Sequence, residues 1–136
     1  MKQSVSKSGR KPPAKTNVRL TNLFDELQVR KGKLARSRIR SLVVAAVADD
    51  EPVWSVVPKR IVSQLGLTAH RAWNGWQADG MKFKICGRTT SESTLVRGRN
   101  VMIGRTVLAG TDLVIDAGSG RVITNPKHPN GPVFRV

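Results

Sequence analysis

The sequence predicts an all-β domain with one or two short helices. Short apolar runs are bounded by Gly, Pro or Asp, which is typical of buried strands in a β-rich core. The run 101–103 ends at Gly104, and a basic residue and a helix-compatible turn follow it. Glycine allows a sharp turn or a close backbone approach at this point. We therefore interpret the rest of the chain around residues 101–108.

The first half of the chain contains alternating and fully apolar runs. Residues 17–23 alternate in polarity, which predicts a half-exposed first strand. Residues 24–34 are polar around Gly32 and predict a hairpin loop. Arg36, Arg38 and Arg40 alternate with other residues, so an exposed strand would carry all three on one face. Residues 42–47 predict a buried strand.

A helix signal follows a second apolar run over residues 53–57. Pro58 fits the first turn of a helix, where its missing N–H costs nothing. Ile61, Val62 and Leu65 form the apolar stripe of this helix. Gly66 lies where a left-handed cap would end it.

The second half of the chain predicts hairpins. Asn74-Gly75 and Asp79-Gly80 are both strong turn signals. Trp73 and Trp76 flank the first signal, and we expect them to pack under a hairpin. Residues 81–86, 95–96, 113–115 and 121–123 predict further strands, and the last two are joined by a turn over residues 117–120.

Composition predicts a single basic domain of 136 residues with a tail over residues 1–16. The formal net charge is +15, which favours polyanionic partners and says nothing about the fold. The lone Cys86 excludes an internal disulfide and fits a reducing compartment. No run is long or apolar enough to span a membrane, and the N-terminus lacks the apolar core of a signal peptide. We expect a cytoplasmic protein that does not bind membranes.

The tail is predicted to be disordered, because residues 1–16 are rich in Lys, Ser, Gly and Pro and contain no acid. One interpretation is an arm that binds nucleic acid or an acidic partner weakly. The other is a solubilising tail with no partner.

An acidic triplet, Asp49, Asp50 and Glu51, lies between two apolar runs of a very basic chain. Carboxylates there could perform acid–base chemistry, bind a metal or form a polar turn, and the pattern alone favours the turn. His70 and His128 are far apart and have no ligand spacing, so we expect no metal and no cofactor.

The order of several motifs resembles the retropepsin-like aspartic proteases, small bacterial type, over residues 17–136. In that family an apolar strand delivers Asp-Thr/Ser-Gly-Ala, and a short strand, a proline and a helix ending near Leu-Gly-Leu follow. Residues 54–58 and 64–67 match this continuation. The family aspartate lies nine residues before the proline, which corresponds to Asp49.

The resemblance implies a closed β-barrel that forms a homodimer, and it assigns roles to three groups of residues. The first group is the catalytic Asp49 with its active-site loop, Asp50, Glu51 and Pro52. The second is the flap hairpin, with Ala78, Asp79 and Gly80. The third is the second apolar-Gly motif, with Ile103, Gly104 and Arg105. Each subunit would supply one aspartate. Two adjacent carboxylates share a proton, so one acts as a base on a water and the other as an acid. The substrate would be an extended peptide bound as an added strand.

The catalytic motif departs from the family pattern. Asp50 replaces the hydroxyl residue, Glu51 the glycine and Pro52 the alanine, and Val53 replaces an acid that pairs with the arginine in retroviral relatives. Two Asp50 carboxylates about 5 Å apart at an effective dielectric of about 20 would repel by roughly 3 kcal/mol. The resemblance therefore implies an aspartic endopeptidase or a catalytically impaired relative.

A non-enzymatic alternative is a nucleic-acid-binding β module. The net charge, the basic tail and the Arg36, Arg38 and Arg40 face would contact phosphates, and Trp73 and Trp76 would stack on bases. No base-reading motif is present in the sequence.

Overall fold

The computed structural model describes residues 12–131, which form nine strands and three helices. The elements in chain order are β1 (Ala14–Asn22), α1 (Leu23–Arg30), β2 (Ser41–Ala48), β3 (Val56–Val57), α2 (Lys59–Gln64), β4 (Ala69–Ala72), β5 (Gly75–Ile85), β6 (Arg88–Val96), β7 (Val101–Ile103), α3 (Arg105–Thr111), β8 (Leu113–Asp116) and β9 (Arg121–Thr124). The predicted all-β class with short helices is confirmed.

Six strands close into a barrel in the order β1-β2-β7-β3-β6-β5, and β5 returns to β1. The closing ladder is antiparallel and pairs Arg19 with Lys84 and Asn22 with Met81. Two pairings in the barrel are parallel, β2 with β7 and β3 with β6. The β4–β5 hairpin extends from one side of the barrel, and the β8–β9 hairpin attaches to β1 through Lys15 and Arg121.

Mostly aliphatic side chains fill the barrel. Leu20, Phe83 and Ile103 are fully buried and belong to one continuous core cluster. β1 is half-buried with alternating polarity, as predicted. The prediction of a fully buried β2 is wrong, because Val43 and Val47 are 58% and 38% exposed on its outer face. β2 therefore carries apolar side chains on both of its faces, although only one face is buried.

The predicted helix after Pro58 is confirmed as α2. Ile61, Val62 and Leu65 are buried, and Gly66 follows with a φ of +72°. The predicted strand over residues 53–57 shortens to β3, and residues before it form a loop.

The predicted hairpin loop over residues 24–34 is wrong, because most of it forms α1. The Asn22 side chain accepts a hydrogen bond from the Asp25 N–H and caps the helix, and Asp25 and Glu26 lie in the first turn, where the helix dipole favours acids. These local signals were present in the sequence and indicate a helix start.

The predicted arginine strand is also wrong. Arg36–Arg38 form a single 3-10 turn, and Arg40 turns back to Asp25. The buried Asp25 carboxylate accepts hydrogen bonds from the Arg40 backbone N–H, Nε and Nη2 at 3.0, 2.9 and 2.9 Å. The hydrogen bonds from the Arg40 side chain lower the pKa of Asp25 despite its burial. The three arginines therefore do not share one strand face.

The predicted tail lies mostly outside the described residues, as does its predicted binding of nucleic acid or an acidic partner. β1 begins at Ala14, so Lys15 and Thr16, which we assigned to the tail, belong to a strand. Within residues 12–131 the longest helix has eight residues, and none meets the length and hydropathy needed to cross a bilayer.

We expect Asp25→Asn to lower the free energy of unfolding by about 2 kcal/mol at neutral pH, because it weakens a buried acceptor of three hydrogen bonds. The folded state lowers the pKa of Asp25, so the ionised carboxylate stabilises the fold at pH values above its unfolded pKa of about 3.9. This stabilisation is lost as the pH falls below that value and through the lower pKa of the folded state. Urea unfolding at several pH values measures this difference. Glu26→Gln removes a single ion pair with Lys82, in which the carboxylate side chain is 20% exposed against 9% for Asp25, and should cost less than about 1 kcal/mol. Equal losses from both variants would contradict the prediction.

Candidate active site

Asp49 lies directly after β2, at the point where this strand leaves the barrel. It is 8% exposed. Its N–H donates to the Ile103 carbonyl at 2.9 Å, and its Oδ1 accepts from the Glu51 N–H at 3.1 Å. The predicted catalytic aspartate is therefore fixed to β7 by its backbone and to its own loop by its carboxylate.

The loop after Asp49 packs against Gly104, the glycine of the predicted second motif. The Gly104 N–H donates to the Ser55 hydroxyl at 2.8 Å, and the Arg105 N–H donates to the Pro52 carbonyl at 2.8 Å. A Cβ at Gly104 would lie 2.6 Å from the Trp54 carbonyl oxygen. Only glycine permits this approach, so the structure brings the two predicted motifs together.

The arginine of the second motif contacts the loop backbone. Arg105 Nη2 donates to the Glu51 carbonyl at 3.0 Å. Val53, the residue at the position of the acid in retroviral relatives, is 45% exposed. Arg105 therefore supports the loop through a carbonyl oxygen, which agrees with the absence of an acid at position 53.

The three substituted loop positions differ in their surroundings. Asp50 is half-buried and lines a pocket of about 210 Å³ together with Arg105, Leu108 and residues of β8. Glu51 is exposed and Pro52 is half-buried. The Glu51 side chain points away from the core, so the single chain accommodates it without steric conflict.

A second set of contacts joins the loop to β6, and sequence reasoning missed it. The Thr106 N–H donates to the Val53 carbonyl, and the Thr106 hydroxyl lies 3.1 Å from that carbonyl and 2.5 Å from Glu92 Oε1. Burial raises the pKa of Glu92, and the bond from Thr106 opposes this effect. Glu92 stands in no recognisable motif, and only the fold brings it to the loop. Ser55 lies in the matched segment 54–58, but its hydrogen bond with Gly104 was not predicted.

The predicted flap residues lie in the second strand of a hairpin and not at its tip. Ala78 is buried, and the pairing of β5 with β6 shifts register between Ala78 and Met81. Gly80 has a φ of +78°, and a Cβ there would meet the Phe24 ring at 2.4 Å. The Asp79-Gly80 turn prediction is therefore wrong, and this dipeptide forms an irregularity inside β5. The turn at the tip consists of residues 73–74, because Ala72 already pairs with Gly75, so it falls one residue before the predicted Asn74-Gly75 dipeptide.

The tryptophans of this hairpin are exposed, so the prediction that they pack under it is wrong. Trp73 at the tip is 92% exposed and Trp76 is 49% exposed. The Arg71 guanidinium lies over the Trp76 ring, 5.7 Å from its centroid.

The two histidines lie apart and each approaches a single carboxylate. His128 Nδ1 is 2.5 Å from Asp112 Oδ2, and His70 Nδ1 is 4.0 Å from Asp79 Oδ2. Hydrogen bonds from Asn125 and His128 lower the pKa of Asp112. Within the described part of the chain, His, Cys, Asp and Glu side chains form no group of three that could hold a metal.

We expect Gly104→Ala to lower the free energy of unfolding by about 3 kcal/mol, because the added methyl group overlaps backbone that cannot move independently. Gly118→Ala is the matched control, since the nearest atom to its Cβ would be 3.8 Å away. Denaturant unfolding of the two variants measures the effect. Similar midpoints for both would contradict a close approach at Gly104.

Comparison with known proteins supports the fold. No family model matches the sequence, and no curated protein matches it. The crystal structure of the retroviral protease-like domain of Ddi1 from Leishmania major is similar, with a TM-score of 0.51 and 16% sequence identity over 88% of this chain and 92% of that chain. The closed barrel with few short helices and this similarity together show that the chain has a retropepsin-like fold.

Proposed function

We propose that this chain is a homodimeric, catalytically impaired relative of the retropepsin-like aspartic endopeptidases, in which Asp49 of each subunit forms the catalytic pair. The observation that carries this proposal is the position of Asp49. Its carboxylate is held by a backbone N–H at the carboxyl end of β2, next to the close approach between Gly104 and the loop. The bond from the Glu51 N–H is an Asx turn, which a surface turn can also form, so the specific support comes from the contact of this loop with Gly104.

The proposed reaction is hydrolysis of a peptide bond by a water held between the two Asp49 carboxylates. The ionised carboxylate takes a proton from the water, and the protonated one donates to the substrate carbonyl. The β4–β5 hairpin would cover an extended peptide bound as an added strand.

The impairment is attributed to Asp50 and Glu51. Beside the axis of a dimer, Asp50 would add negative charge where a hydroxyl usually links the two loops, and Glu51 would add a side chain where bare backbone is expected. Each charge disfavours the second ionisation of the pair. The backbone frame around Gly104 is intact, so the chemistry is affected more than the fold.

We expect slow cleavage of an unfolded protein by the full chain between mildly acidic and neutral pH, and no cleavage by Asp49→Asn. Glu26→Gln is the control, because it removes an acid outside the loop and should cleave as the parent does. Sedimentation should give a dimer for all three. A monomer that still cleaves would contradict the paired mechanism.

We expect the double variant Asp50→Thr/Glu51→Gly to cleave faster than the parent, by about tenfold or more in kcat/KM, because it removes up to roughly 3 kcal/mol of repulsion at the axis. The comparison needs the same substrate and the same fraction of dimer. Adding Asp49→Asn to the double variant should abolish the gain. A double variant that is a stable dimer and is no faster than the parent would contradict impairment by these two residues.

A further inference from the structure

A groove of about 640 Å³ lies between α2 and the base of the β4–β5 hairpin. Its size is within the usual range for small-molecule sites. Its lining comes from α2, the start of β4, β5 and the end of β6, and it includes Lys59, Leu67, Trp76, Val96 and Arg97.

The groove combines an apolar floor with a cationic rim. Leu67 and Val96 are buried beneath it, whereas Lys59 and Arg97 are exposed beside it. Among residues 12–131, no acidic side chain lines the groove. Because the chain has a net charge of +15, the long-range field also favours an anionic ligand.

The aromatic residues of the same hairpin extend this surface. Trp76 lines the groove and is half-exposed, and Arg71 lies over its ring. Trp73 at the tip exposes nearly its whole indole. Exposing two large aromatic rings to water is unfavourable for a free surface. Together with nearby cations, such rings are typical of a surface that stacks on flat ligands.

We propose that this groove and hairpin bind single-stranded nucleic acid without sequence preference. One base stacks on Trp76 and a neighbouring base on Trp73, and the connecting phosphates contact Lys59 and Arg97. An acidic peptide would satisfy the cations but does not require two exposed indole rings, so stacking favours the nucleic acid. The groove shares the β4–β5 hairpin with the proposed peptide site, but its lining includes no residue of the loop at Asp49, so the proposal does not depend on peptide hydrolysis.

The charge contribution is tested by the affinity of the full chain for a labelled oligothymidylate of about 12 nucleotides, measured by anisotropy across a range of salt concentrations. Lys59→Gln/Arg97→Gln should reduce the slope of log affinity against log salt by about 1.4, since two phosphate contacts are lost. Arg121→Gln/Lys127→Gln is the matched control, because it removes the same charge from exposed positions outside the groove. Equal slopes for the two double variants would overturn the site.

The stacking contribution is tested with single variants at one salt concentration. Trp76→Ala should weaken binding by about tenfold, and Trp76→Phe should restore most of the loss, since an aromatic ring still stacks. Urea unfolding of each variant checks that the hairpin is still folded. Unchanged affinity in a folded Trp76→Ala would overturn the proposal. Polyglutamate that binds the same groove more tightly than the oligonucleotide, with no effect of Trp76→Ala, would overturn it in favour of an acidic peptide.

Discussion

The candidate site depends on the absence of a side chain at Gly104. The carbonyl of Trp54 occupies the space where a Cβ would lie, and the Gly104 N–H reaches the Ser55 hydroxyl. This contact joins the loop after β2 to the start of α3, although 49 residues separate the two partners in sequence. This contact also fixes the position of the Asp49 carboxylate, because the loop cannot shift without breaking several hydrogen bonds at once.

The supporting frame uses mostly backbone atoms of the loop. Glu51 contributes its N–H to Asp49 and its carbonyl to Arg105, and Pro52 contributes only a carbonyl. A backbone frame tolerates a change of side chain more readily than a frame made of side chains. The chain can therefore keep the architecture of the site while its side chains depart from the pattern that the paired-aspartate chemistry prefers.

Sequence reasoning predicted the parts of the structure that local patterns determine. The helix after Pro58, the turn near Asn74-Gly75 and the approach at Gly104 each have a local cause, namely a fixed φ, a turn signal and a missing side chain. The errors have two origins.

The loop predicted over residues 24–34 was a local error. The Asn22 cap before α1 could be recognised in the sequence, but the turn signal at Gly32 was given more weight. Two other errors came from distant partners. Asp25 draws Arg40 out of a strand, and the Phe24 ring covers Gly80, where an Asp-Gly signal becomes an irregularity within a long strand. Glu92 joins the site only through the closed barrel, so no spacing along the chain could identify it, whereas Ser55 and Thr106 lie within or next to the predicted motifs.

The closing of the barrel also affects how the chain reaches its fold. β1 pairs with β2, with β5 and, through Lys15, with β9, so the earliest described strand needs partners from the middle and the end of the chain. The entropy of closing such long loops must be overcome before these contacts stabilise the structure. Folding is expected to be slow compared with helical proteins of similar size. On the ribosome, β1 and β2 emerge as an incomplete sheet with unpaired edges and an exposed apolar face, and they complete the barrel only after β7 has been synthesised.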